Sequence, residues 1–382
     1  MADMTHRERV LTTLNHEEPD RVPRDLGQGH ATGINATAYA NLVEYLGLEA
    51  QDGDSWVDPR GQIAYPSEAV LQRFDIDIRM LDIPRRAEDV DENTFFDEWG
   101  VRFVRPEGGH FIYVEGPFQK KEPTMAELER YPWPDPRDPI RIEGLRDRAL
   151  QLRKETDYAI FLRLPYSTVW DCQRIRGFGQ YLEDLAINPT LAEALMEYAL
   201  VVEAGIAEFV LEEVGDCIDV VSFPDDLGTQ DRPFVRPEMY RRMIKPFHRR
   251  MVEAIKGKTD AKVVMHNDGA IFPLIADFIE IGVDCLNPVQ VSAADMESDR
   301  LKAAFGSDLS FWGAIDTRDV LPRGTPDDVR NEVKTRIGHL APGGGYVLGS
   351  VHNMQAETPP ENIVAMFDSA EEYGQYPNLT EV

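Results

Sequence analysis

The sequence predicts an α/β fold, a (β/α)8 TIM barrel with a β-hairpin insertion between its second and third strands. Three observations predict it. Short β-rich apolar runs alternate with capped helical segments along the chain, eight such runs occur, and no segment repeats another. Eight strand–helix units without an internal repeat build one closed ring.

Taken in order, Thr5-His6-Arg7-Glu8 is a capping box that opens a helix to about Asn15. The strand runs fall at residues 21–26, 76–81, 158–164, 218–223, 262–266, 285–287, 309–312 and 346–349. Pro189-Thr190 opens a long helical stretch that is expected to end over 205–215, and Pro246 is expected to kink the helix of 237–255. Thr325-Pro326-Asp327-Asp328 combines an N-cap, a proline at the first helical position and acid in the first turn, and Thr358-Pro359-Pro360-Glu361 repeats the pattern. Gly374 stops the last helix. Residues 93–118 alternate aromatic and β-branched side chains around Glu107-Gly108-Gly109, which reads as a hairpin. Residues 122–140, with Tyr131-Pro132-Trp133-Pro134, read as an ordered proline-rich connection. The insertion thus covers about 93–140 of a single domain spanning 1–382. A doubly wound sheet is the alternative, but no GxGxxG follows an early strand, and Gly343-Gly344-Gly345 precedes a strand rather than a helix.

Composition narrows the function by exclusion. With 68 acidic and 40 basic residues the net charge is −28, which repels phosphate backbones and anionic headgroups; nucleic acid and membrane are excluded as partners. Apolar content of 42% keeps the chain in the globular range. Cys172, Cys217 and Cys285 are widely spaced, odd in number and in apolar contexts, so no disulfide framework or CxxC zinc site is expected. The charged N-terminus and the lack of an 18-residue apolar run point to a cytoplasmic protein.

A TIM barrel carries its chemistry at the C-terminal ends of its strands, which narrows the search. Those ends hold Asp25 with His30 close behind, Asp82, Arg163 with Tyr166, Asp225-Asp226, His266-Asn267-Asp268, Asn287 with Gln290, Trp312 with Asp316, and His352-Asn353. Each has a plainer reading. One of Asp225 and Asp226 is expected to cap the following turn, Asp82 before Ile83-Pro84 suits an ordinary turn, Asn287-Pro288 suits a loop brace, and His30 among small residues suits the surface. His266 and His352 differ because each ends an apolar strand, and the two strands face each other across the mouth. With Asp268 they make a two-imidazole, one-carboxylate set for a divalent metal with open positions. Without metal, the same histidines suit acid–base work or a substrate carboxylate, with Asp82, Asp226 and Arg163 setting the local field.

Several stretches resemble the uroporphyrinogen decarboxylase superfamily, in its branch of corrinoid-linked methyltransferases. They are RERVLTTLNHEEPDRVP, FDEWGVRF, YPWPDPRDP, FPDDLGTQDRPFVRPEMYRRMIKPFHRRMVEAI, IEIGVDCLNPVQVSAADM, and GTPDDVRNEV through APGGGYVLGSVHNMQAETPPENIVAMFDSAEEYG. The resemblance implies the same (β/α)8 barrel. It also implies one of two chemistries. Decarboxylases of the superfamily use no cofactor and act through an Asp after the second strand and a His after the last, positions held by Asp82 and His352. Their arginine-rich N-terminal signature is missing here, where the region reads DRVPRDLGQGH. The methyltransferase branch moves methyl groups between a small methylated donor, a corrinoid (cobalamin), often on a small corrinoid protein, and an acceptor. Members acting on thiols hold zinc with a His-x-Cys pair after strand five and a Cys near strand eight. This chain has His266-x-Asp268 and Val351-His352 there, so His266 matches while Asp268 and His352 replace thiolates. The expectation is therefore a cobalamin-dependent methyltransferase of one-carbon metabolism, holding Zn or another divalent metal and suited to O-demethylation. The catalytic set is Asp82, Asp226 and His352. The binding set is Asp25, His30, Arg163, Tyr166, Asp225, Asn287, Gln290, Trp312 and Asn353. A cofactor-free decarboxylase of a small acid and a corrinoid carrier without catalysis are the alternatives. Monomer and oligomer are both compatible with the sequence.

Overall fold

Seven parallel strands form one curled sheet in the computed structural model, which describes all residues except 1–3, 28–31, 50–56, 59–61, 108, 166 and 377–382. They are Ile78–Asp82, Ala159–Arg163, Val220–Pro224, Lys262–His266, Cys285–Asn287, Ser310–Ile315 and Tyr346–Ser350, each paired with its neighbour in chain order. These are the second to eighth expected strands, shifted by at most a few residues. The first, at 21–26, makes no full ladder. It holds the eighth strand through Asp25 N–H to Leu348 O (2.9 Å) and Leu348 N–H to Pro23 O (2.9 Å), and it accepts from Asp77 N–H at Arg24 O (3.1 Å). Pro23 has no amide proton to donate, which shortens this strand to isolated bridges. The segment nonetheless lies between the second and eighth strands and closes the ring as a TIM barrel.

Alternation along the strands decides what the barrel encloses. Ile78, Met80, Ala159, Phe161, Val220, Val264, Cys285, Trp312 and Val347 make one interior cluster, plugged below by Val10 and Leu14 of the first helix. Because side chains repeat every second residue, the parity that sends Ile78 and Met80 inward also sends Asp82 into the mouth. It does the same for Arg163 above Phe161, His266 above Val264 and Asn287 above Cys285.

The helices follow their sequence signals with instructive exceptions. His6–Leu14 and Pro326–Leu340 both open on complete capping boxes, from Thr5 with Glu8 and from Thr325 with Asp328. Pro360–Tyr373 is capped by Pro359 rather than Thr358, without a side-chain cap, and stops at Gly374. The long helix Pro189–Val214 runs through Gly205 and stops at Gly215, within the 205–215 stretch where its end was expected. A Cβ on Gly205 would come within 2.8 Å of Pro136 Cβ, so that glycine serves a close crossing of the proline-rich connection. The irregularity expected from Pro246 is a π turn, Tyr240–Ile244, followed by the helix Lys245–Lys256. The widened turn precedes the proline, whose ring would otherwise clash with a carbonyl one turn back.

The segment between the second and third strands is larger than a hairpin. It is a four-stranded antiparallel sheet of Ala87–Asp91, Thr94–Asp97, Arg102–Val104 and Ile112–Glu115. Its first strand, AEDVD, is exposed at every position and too acidic to read as β. It is held by pairing, with Glu88 opposite Phe96 and Asp89 opposite Phe95. The connection after it is pinned by Trp133, stacked on Tyr198 at 5.2 Å and donating to Leu128 O at 2.9 Å. No helix among the described residues is long and apolar enough to cross a membrane.

Below the barrel, Asp77 binds three chain segments to each other. Its fully buried carboxylate accepts from Arg9 Nη1 (2.7 Å), from Arg21 Nη1 (2.7 Å) and Nη2 (3.0 Å), and from the Arg24 amide (2.8 Å). Removing a buried partner strands the charges left behind, so Asp77→Ala is expected to cost about 3–5 kcal/mol. Equilibrium denaturant unfolding measures it; a loss under about 1 kcal/mol, the value of an exposed pair, would show that the hub does not hold the ring.

Outside the barrel wall, Glu203 is buried and accepts from Thr168 Oγ1 at 2.7 Å. Burial, opposed by that hydrogen bond and reinforced by the charge of Asp225, pushes its pKa up to about 8. Through the window from 4.5 to about 8 the unfolded chain loses this proton while the folded chain keeps it, so stability falls as pH rises. Glu203→Gln should leave the thermal midpoint at pH 4 nearly unchanged and raise it by a few degrees at pH 9. Equal effects at both pH values would contradict a neutral buried carboxyl.

Candidate active site at the barrel mouth

The fifth strand delivers His266 to the mouth, and the turn after it brings Asp268 alongside. His266 Nε2 lies 3.3 Å from Asp268 Oδ2 and 3.9 Å from Asp226 Oδ1. His352, from the turn after the eighth strand, places Nε2 3.8 Å from the same Asp268 oxygen, and the two imidazole centroids are 5.8 Å apart. One ligand atom from each of His266, Asp268 and His352 thus falls within 4.8 Å of the others.

The cluster is oriented from behind. Asn287 Nδ2 donates to Trp312 O at 3.3 Å, which turns its Oδ1 toward His266 Nδ1 at 2.7 Å. His266 Nδ1 is therefore the donor, and Nε2 faces the mouth. Asp226 Oδ1 accepts the Asp268 amide at 3.0 Å and so fixes the turn that carries Asp268. Burial opposes a charge on His266, but the hydrogen bond to Asp268 and the charges of Asp268 and Asp226 outweigh it and lift its pKa to about 9. Burial and the neighbouring Asp268 charge raise Asp226, while the His266 partner overcomes burial and lowers Asp268.

The second and third strands supply the other wall. Arg163 donates to Asp82 Oδ1 through Nη2 (2.8 Å) and Nε (3.1 Å), and the Tyr65 hydroxyl donates to Asp82 Oδ2 at 2.5 Å. Burial raises the Asp82 carboxyl, but Arg163 and Tyr65 outweigh it and hold it below the usual range. Tyr65 was not legible in the sequence, because it sits in a loop beside the short antiparallel strand Ile63–Ala64, far from any barrel strand.

Other expected site residues are turned to structural work. Asp225 accepts from the amides of Val169 (2.9 Å) and Trp170 (3.0 Å) and faces His248 Nε2 at 2.8 Å, so it caps the helix Thr168–Arg176 from behind the barrel. The parity that brings Asp226 inward sends Asp225 outward. Trp312 is buried beneath the mouth, edge-on to Phe161 at 5.4 Å, with Nε1 donating to Asp25 Oδ2 at 2.9 Å. Asp25 also accepts from Thr32 Oγ1 at 2.6 Å, and burial pushes it up to about 6. Asn353 accepts from the Gly33 amide at 2.9 Å, and Gln290 accepts from the Gly269 amide at 2.8 Å. Asp316 accepts from the amides of Arg318 and Asp319. Asp25, Asp225, Trp312 and Asn353 are thus buried supports rather than groups open to a ligand. His30 and Tyr166 lie outside the described residues.

Comparison with known proteins agrees with this architecture. The uroporphyrinogen decarboxylase (URO-D) family matches residues 108–373. A uroporphyrinogen decarboxylase from Alkalilimnicola ehrlichii is 24% identical over 376 residues, covering 95% of this chain and 93% of that protein. A methylated-thiol–coenzyme M methyltransferase from Methanosarcina mazei is 26% identical over 138 residues, covering 36% of this chain and 34% of that protein. Among solved structures, a methyltransferase from Methanosarcina mazei superposes with a TM-score of 0.66 at 18% identity, covering 97% of this chain and 99% of that one, a likeness of fold. The match across residues 108–373, on a barrel with its polar cluster at the strand ends, places this chain in the uroporphyrinogen decarboxylase (URO-D) family.

Proposed function

We propose that the protein is a metal-assisted methyltransferase that moves a methyl group between a small methylated donor, a corrinoid and an acceptor. The observation that carries this reading is the convergence of His266, Asp268 and His352 after the fifth and eighth strands. The donor set fits a divalent ion. Two imidazole nitrogens and a carboxylate oxygen lie within reach of one point, and His266 has its second nitrogen occupied by Asn287, as metal-binding histidines do. Without thiolates the set is harder than a cysteine site, which suits zinc or another divalent metal and favours an oxygen-bound methyl group over a thiol.

A metal held there supplies Lewis acidity to a bound hydroxyl or ether oxygen. The chain's own residues do the rest. Asn287 holds the His266 ring with Nε2 toward the mouth, and Asp226 holds the Asp268 turn. Asp226, 3.9 Å from His266 Nε2, supplies a carboxylate at the edge of the cluster that can take up or give a proton. The His352 side chain is 40% exposed, leaving the site open to a methyl carrier arriving from solvent. The corrinoid and a small corrinoid protein as its bearer are part of this proposal, supported by the sequence resemblance.

Two features speak against a porphyrinogen. The Arg21 guanidinium is buried in the hub below the barrel and that of Arg24 is buried against Phe74 O and Glu371, so neither meets a polycarboxylate at the mouth. Asp82 is held ionised by Arg163 and Tyr65. A decarboxylase of a smaller acid is the second reading, favoured by the placement of Asp82 and His352 at the same barrel mouth.

Elemental analysis with cobalamin titration tests the proposal. We expect about one divalent ion per chain, lost in His266→Ala, and a donor-dependent change in the cobalamin spectrum that chelation abolishes. The absence of both a bound metal and a spectral change would reject it. Carbon dioxide release abolished by Asp82→Ala and indifferent to chelator would establish the second reading instead. Asn287→Ala should weaken metal binding by about 10–100-fold, with metal affinity measured by competition against a chromophoric chelator; unchanged affinity would remove Asn287 from the site.

A further inference from the structure

Beside the mouth, between the second strand and the inserted sheet, lies a cleft of about 1020 Å³, large enough for a small organic molecule. Its apolar walls are Ile83, Pro84, Phe95 and Phe111, with Phe95 and Phe111 edge-to-face at 5.1 Å. Four arginines line it, in different states. Arg163 is committed to Asp82. Arg105 donates to Asn93 Oδ1 at 2.9 Å and Glu92 O at 3.2 Å and covers the Phe111 ring. Arg148 is exposed at the rim. Arg85 is half-buried and, among the described residues, has neither a hydrogen bond nor an ion pair. Its charge reaches Asp82, but that carboxylate is already occupied by Arg163 and Tyr65.

A half-buried guanidinium with five unspent donors beside apolar walls is shaped for a planar oxyanion carried on an apolar body. The rim restricts the charge of that anion. Asp82, Asp89, Asp91 and Glu92 line the same cleft, so each further negative charge on a ligand adds repulsion and a monoanion is favoured over a dianion. We propose that this cleft is a binding site for small organic monocarboxylates, with the carboxylate on Arg85 and the apolar body against Ile83, Phe95 and Phe111. The cleft shares Tyr65, Asp82 and Arg163 with the wall of the mouth, whereas His266, Asp268 and His352 do not line it, so carboxylate binding and metal binding can be tested apart.

The test uses the full chain stripped of metal with chelator, so that a carboxylate cannot bind an ion instead. Benzoate, benzyl alcohol and phenyl phosphate present one ring with one, no and two negative charges. Calorimetric titration should show benzoate binding at least tenfold tighter than the other two. Arg85→Gln should weaken benzoate at least tenfold, Arg85→Lys should recover part of the loss, and His266→Ala should bind benzoate as wild type does. Among the described residues Arg85 has no partner whose loss would unfold the chain, and equal thermal midpoints for the variants are the check on that. The proposal is overturned if benzoate does not bind, if it binds no better than benzyl alcohol, if phenyl phosphate binds more tightly, or if Arg85→Gln leaves its affinity unchanged. Loss of benzoate binding in His266→Ala would assign the carboxylate to the metal cluster and also overturn it.

Discussion

The barrel depends on a buried carboxylate at the face opposite its chemistry. Its first strand is too poor in amide hydrogens to complete a ladder, because Pro23 falls in the middle. Closure therefore relies on side chains: Asp77 at the entry to the second strand joins the first helix through Arg9 and the first strand through Arg21 and the Arg24 amide. Each of these groups would be expensive to bury alone, and their mutual satisfaction makes the arrangement specific. The same network withdraws the Arg9 and Arg21 guanidiniums from ligand binding, so the way the ring is closed also limits what its mouth can hold.

Above this closure, chemistry follows from parity. A strand that fills the barrel with Ile78 and Met80 must present its next inward residue at the rim, and neighbouring strands obey the same rule. Asp82, Arg163, His266 and Asn287 arrive together because of it. The pair Asp225-Asp226 shows the rule dividing two identical side chains between roles. One faces inward beside His266; the other faces outward to cap a helix and meet His248.

Much of this was legible in the sequence. The seven strands and the two boxed helices were marked by apolar runs and capping signals that act locally, and His266 and His352 stood out by ending apolar strands. What escaped notice depended on contacts between distant segments. The exposed acidic strand Ala87–Asp91 is β only because Thr94–Asp97 pairs with it. Gly205 sits in mid-helix, and only Pro136 lying against it shows why. Tyr65 reaches Asp82 from a loop that no periodicity places. The outward turn of Asp225 needed the end of its strand, at Pro224, to be known to the residue.

Trp312, lying under the mouth with Val10 and Leu14 filling the barrel below, turns the interior into a blind well. Nothing passes through the ring, so arrivals and departures share one doorway. A ligand therefore enters and leaves over the same rim, above an indole that seals the floor and takes no part in what happens there.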